Sequence, residues 1–179
     1  MPTFKPYQQI DEYDILNLFA YTGSFPVNKG TFVKPAGSGS MPSLDVEFIG
    51  SVGASFGNTV SQRYGTAAKV GPVTASGDKT IGMLLYDGRE TDENGEKLVF
   101  NPRKQAEMEV FVSGNTAPIV AKGLFLYSGI AGTPIPGDTA YLDSTAGLVA
   151  SAGTVTATPV GRWLGGKNAE GFALVKIDV

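Results

Sequence analysis

Five acidic residues crowd one polar stretch: Asp87, Glu90, Asp92, Glu93 and Glu96 all fall within DGRETDENGEKLVFNPRKQ. Oxygen ligands at that density could hold calcium. The helix-loop-helix calcium pattern needs ligands at alternate positions followed by glycine, and this spacing departs from it. A solvated hairpin tip accounts for the stretch better. Glu107 and Glu109 fall on one face of an expected strand and imitate a paired-carboxylate site. Glycosidase carboxylates come instead from different strands facing a cleft, so a solvent-facing edge is the better reading. Gly77-Asp78-Lys79-Thr80 resembles the end of a phosphate loop, but Asp78 stands where that motif needs glycine. Gly50, Gly53 and Gly57 form no dinucleotide fingerprint and read as turns. Trp163, the one tryptophan, could stack on a sugar. A lone Trp beside Leu164 is more often a core or interface anchor.

The residue types that are missing narrow the chemistry further. The chain has no histidine and no cysteine. Ser-His-Asp and Cys-His nucleophilic sites are thereby excluded within it, and ordinary zinc and copper sites lose their usual ligands. Any reaction has to run on carboxylates, Lys, Tyr, Ser or Thr. The expectation is a protein that is not an enzyme and carries no cofactor or metal. A carboxylate-dependent hydrolase is the weakest of the readings. Net charge is −3 and the only basic cluster is Arg103-Lys104, so no nucleic-acid partner is expected. MPTFKPYQQ lacks an apolar signal core, and no apolar run approaches the ~20 residues that span a bilayer, so no membrane is expected either.

The elements that must position these residues are short strands. Glycine supplies 24 of the 179 residues and proline 11, which suits many tight turns. Charged residues make up 17%, against roughly 25% in typical domains. Two readings of that stay open: a surface covered by partners, or a glycine-rich β-protein with neutral turns. In FALVKIDV, Ala173, Val175, Ile177 and Val179 point one way while Lys176 and Asp178 point the other, a strand with one buried face. Met108, Val110 and Val112 face inward in the same manner in AEMEVFVSG, as do Leu44, Val46 and Phe48 in LDVEFIG. Thr80–Tyr86 is apolar on both faces, hence either a central strand or one covered by another subunit. Asn94-Gly95 is a strong tight-turn signal, with Lys97–Phe100 as the expected return strand.

The order GTFVKP, TIGMLLYDG, AEMEVFVSG is similar to the order GLFLYSG, GDTAYLD, GLVAS, TPVGRWL, FALVKIDV. This predicts an all-β chain of two small β-barrel units in tandem with an extended N-terminal arm. The arm is residues 1–26, the first unit with a projecting hairpin 27–121, and the second unit 122–179, with GNTAPIVAK as the joint. In the arm, Pro2 and Pro6 oppose helix, and Phe4, Tyr7, Ile10, Tyr13, Leu16, Leu18 and Phe19 are too apolar for a solvated tail. They are the expected contact residues for a neighbour.

NLFAYTGSFPVNKGTFVKP, TIGMLLYDG with EVFVSG, and GDTAYLDSTAGLVASAGTVTATPVGRWLGGKNAEGFALVKIDV together resemble the capsid decoration (cement) proteins of tailed bacteriophages. The stretches touch about half of the chain, and they are patterns of glycine and apolar alternation rather than catalytic signatures. The resemblance implies β-barrel or β-tulip units and a structural virion protein, often a homotrimer, that binds the outer surface of the assembled capsid. There it stabilises the shell by bridging major capsid protein subunits. It implies synthesis in the bacterial host cytoplasm. The competing expectation is a receptor- or glycan-binding head-fibre or tail module, with Trp163, Tyr127 and Tyr141 as its candidate platform.

Overall fold

A computed structural model describes residues 3–36, 69–113, 115–150 and 157–179. The expected strand LDVEFIG and the Ser- and Gly-rich stretch up to residue 68 lie outside these. The chain begins with β1 (Phe4–Pro6), a 3-10 turn (Glu12–Asp14), β2 (Ile15–Leu16) and β3 (Ala20–Tyr21). It continues through β4 (Phe32–Ala36), β5 (Lys69–Pro72), β6 (Gly82–Leu84) and β7 (Asp87–Gly88). A second 3-10 turn (Leu98–Phe100) leads to the helix α1 (Pro102–Glu107), then β8 (Val110–Phe111) and β9 (Ile119–Val120). The last third holds β10 (Lys122–Tyr127), β11 (Ile130–Ala131), β12 (Thr139–Leu142), β13 (Leu148–Val149), β14 (Pro159–Trp163) and β15 (Ala173–Asp178).

The protein is mostly β, as the turn-divided apolar runs predict, and its described residues form three sheets. The largest runs β1-β10-β15-β14-β12-β13-β11 and curls into a half-barrel. The second runs β2-β9-β6-β4-β5-β3, and β7 pairs with β8 in a small third sheet. In β15, Ala173, Val175 and Ile177 are buried and Lys176 and Asp178 exposed, in the predicted alternation. Val179, expected to face inward with them, lies just past the strand and is exposed, its N–H donating to Ala121 O at 3.1 Å.

The two large sheets lie face to face over one core. Phe125, Tyr127, Leu142, Trp163, Val175 and Ile177 come from the half-barrel, and Phe32, Met83 and Val120 meet them from the second sheet. Those last three sit side by side, Phe32 opposite Met83 and Met83 opposite Val120. Their chain neighbours Val33, Leu84 and Ile119 point the other way, as a pleat demands, into a second core with Val70, Tyr21, Val27 and Phe111. The second sheet is therefore a filling between two apolar layers. This explains why Thr80–Tyr86 reads as apolar on both faces. The chain covers the second face itself, so this strand alone creates no need for another subunit.

Three expectations change. The described part of residues 1–26 does not reach away from the body. β1 pairs with β10, Phe4 opposite Tyr127, and β2 and β3 edge the second sheet. Lys97 bridges Thr91 antiparallel as a hairpin return begins, but the chain then forms a 3-10 turn (Leu98–Phe100) and a helix (Pro102–Glu107) in place of the rest of that strand and the start of AEMEVFVSG. Asn101 caps the helix by accepting from Lys104 N, and Pro102 takes its first turn, where a missing N–H costs nothing. GNTAPIVAK is no bare joint, since β9 pairs with both β2 and β6.

Candidate docking surfaces

Asp78 and Asp92 hold turns in place. Asp78 ties down its own turn: its carboxylate accepts from Lys34 Nζ at 2.8 Å and from the backbone N–H of Thr74 and Ala75, both at 2.9 Å. The Lys34 bond, helped by those two amides, lowers its pKa to about 2. Thr80 Oγ1 donates to Val33 O at 2.7 Å inside the second sheet. Nothing in this loop is shaped for phosphate.

Asp92 is buried at the root of the acidic lobe. Its Oδ1 accepts from Asn94 N and Glu96 N at 2.8 Å each, and its Oδ2 accepts from Lys104 Nζ. The Lys104 ammonium beside it holds its carboxyl below the usual range, and Asp92 in turn raises Lys104. This pair joins the Asn94-Gly95 turn to α1, over a small core of Leu98, Val110 and Val112 packed with Met108. The lobe is thus a folded unit, with Glu90, Glu93 and Glu96 exposed on it. Glu107 faces Arg103 on the helix at 3.0 Å, and Glu109 follows with a left-handed backbone, φ 51°. The two glutamates share no strand face. Among the described residues, no three acidic side chains gather where they could hold a metal.

The aromatic residues weighed as a sugar platform are also placed. Trp163 and Tyr127 are fully buried, and Tyr127 OH donates to Gly30 O at 2.7 Å. Burial, aided by the Asp143 charge, pushes the Tyr127 phenol well above its ordinary pKa. Tyr141 remains partly exposed on β12.

What the surface does offer is apolar side chains. The seven expected contact residues of the N-terminal segment divide. Phe4 is buried edge-on against Phe125 at 5.1 Å, and Phe19 leans on the second core. Ile10 packs against the main core. Tyr7, Tyr13, Leu16 and Leu18 are exposed, Tyr13 at 87%. Near them an open groove of about 560 Å³ runs between Ile15, Leu85, Tyr86, Phe111 and Pro118. A second hollow of about 520 Å³ lies by Ile130, Thr145 and Lys167, whose Nζ donates to Ile130 O at 2.9 Å.

Single-strand reading misses another surface, the outer face of the half-barrel. Across β1, β10 and β15, Lys5 stands opposite Leu126 and Leu126 opposite Leu174. In the adjoining row Leu124 stands opposite Lys176, and Lys176 opposite Arg162 of β14. Each strand contributes one or two outward residues, so the patch exists only once the register is known. Lys5 Nζ sits 4.8 Å from the centre of the Phe172 ring.

These features define a mostly-β protein with a half-barrel sheet, filled cores and apolar exposed edges. Comparison with protein families, characterised proteins and solved structures finds no match.

Proposed function

We propose that the protein is a structural virion protein of the capsid-decoration kind, which binds the outside of an assembled phage shell and stabilises it by bridging major capsid subunits. One observation carries the proposal: Tyr7, Tyr13, Leu16 and Leu18 form an exposed apolar run along a segment whose ends are anchored in the sheets. A run held by its own fold is presented to a neighbour at little ordering cost. Asp78 and Asp92 are tied up in their turns, which favours a binding role over a chemical one. The resemblance of three stretches to cement proteins supplies a homotrimer and a place on the outer surface of the virion, and the repeated order of the strand runs supplies the tandem barrel-like units. Contacts that are weak singly become effective when many are made on one shell.

The test uses particles with and without the protein. Tyr13→Ser with Leu18→Ser is expected to leave the fold intact and weaken attachment to shells. Occupied particles are expected to release their genome at a higher temperature than bare ones, because ligation of the closed state alone shifts the balance toward it. Equal release temperatures with the sites shown to be filled would overturn the reading.

A further inference from the structure

We infer that the protein associates with itself head to tail, the acidic lobe of one copy seating on the basic outer face of the half-barrel of the next. Lys5, Arg162 and Lys176 lie on that face in adjoining rows, and all three are exposed. Among the described residues, none of the three is in an ion pair. Leu124, Leu126 and Leu174 lie between them, half-buried. A basic, leucine-lined face is unexpected in a chain of net charge −3 and calls for an acidic, apolar partner.

The same chain carries such a partner. On the lobe, Glu90, Glu93 and Glu96 are exposed beside Val99 at 57% and Phe100 at 82%. Glu90 O accepts from Leu98 N, so the acids and the apolar pair sit on one small surface, together with exposed Lys97. The buried Asp92–Lys104 pair and the Leu98 core hold that surface in shape before any contact is made. An exposed Phe among glutamates fits a leucine face ringed by cations.

The two surfaces do not pair within one molecule. From the basic face inward come the half-barrel, the main core, the second sheet and the second core, which Phe111 of β8 joins. The lobe core, with Val110 and Val112 on either side of Phe111, lies beyond that. Among the described residues, no ion pair joins Lys5, Arg162 or Lys176 to Glu90, Glu93 or Glu96 within one molecule, so the contact is between copies. It is heterologous, and it closes into a ring or runs on as a filament according to the rotation it imposes. The homotrimer of the proposed function is one closed form of it. Shell attachment and self-association are read by separate experiments, so the failure of either leaves the other standing.

The experiment is sedimentation of the full chain at about 50 mM and about 500 mM salt, where screening differs several-fold. The wild type is expected to associate at low salt and to weaken at high salt. Two triple variants, Lys5→Glu/Arg162→Glu/Lys176→Glu and Glu90→Lys/Glu93→Lys/Glu96→Lys, are each expected to be monomeric with unchanged circular dichroism. Each alters exposed side chains only. Mixed in equal amounts they are expected to associate again, because each reversed surface then finds its complement on the other variant. A wild type that stays monomeric at low salt overturns the inference. So do triple variants that associate as well as the wild type, or a mixture that remains monomeric.

Discussion

Gly82 shows how much one position constrains. Its backbone φ is +144°, and a Cβ there would lie 2.4 Å from Val120 O on the neighbouring strand. Gly82→Ala combines a strained backbone with a clash that no side chain can relieve, and is expected to cost about 3 kcal/mol, read as a lower thermal midpoint. Acid stability turns on Asp78. Its folded pKa of about 2 lies below the unfolded carboxylate value, so its contribution is complete above that value and is lost as pH falls toward 2. The thermal midpoint should therefore drop between about pH 4 and pH 2, and Asp78→Asn should lower the midpoint at neutral pH and flatten that drop. Tyr127 works in the opposite direction. Its raised pKa makes its contribution complete below about pH 10 and lost above it. Tyr127→Phe removes this alkaline sensitivity and loses the bond to Gly30 O, worth about 1 kcal/mol by chemical denaturation.

Among the elements, the alternating strands were readable and the short ones were not. FALVKIDV declares its faces because it carries enough apolar residues for a period to show, whereas in TIGMLLYDG the strand is only Gly82–Leu84 and Ile81 packs with Leu84 instead of Met83. The six-residue helix has less than two turns, too few for a period, yet Asn101 followed by Pro102 is a helix-start signal that could have found it. β1 has three residues, and Pro2 before it and Pro6 in it point to an irregular arm. Its place beside β10 is a long-range pairing that no local signal encodes. The pairing matters energetically: Phe4→Ala empties a site against Phe125 and is expected to cost about 3–5 kcal/mol in denaturant unfolding. The same loss of stability is expected on deleting residues 1–7, which removes the edge of the half-barrel. The outer basic face was unreadable for a related reason, since Lys5, Arg162 and Lys176 come from three strands and adjoin only through register.

At the scale of the whole molecule, one layered body serves both proposed contacts: an apolar run on the N-terminal segment for the shell, and charged surfaces of opposite sign for the next copy. Salt should separate the two contacts. Association between copies should weaken as ionic strength rises, whereas docking through Tyr13 and Leu18 should hold or strengthen, as measured by pelleting with purified shells. The stitching of β1 to β10 also carries a consequence in time. Ser128 Oγ donates to Thr3 O across 125 residues of sequence. β1 leaves the ribosome well before β10 and is thus late to find its place, waiting with Phe4 uncovered until β10 is made. Contacts so distant in sequence make for slow folding. A nascent chain stalled before residue 122 should therefore remain open to protease at its beginning, and become resistant only after the last third has emerged.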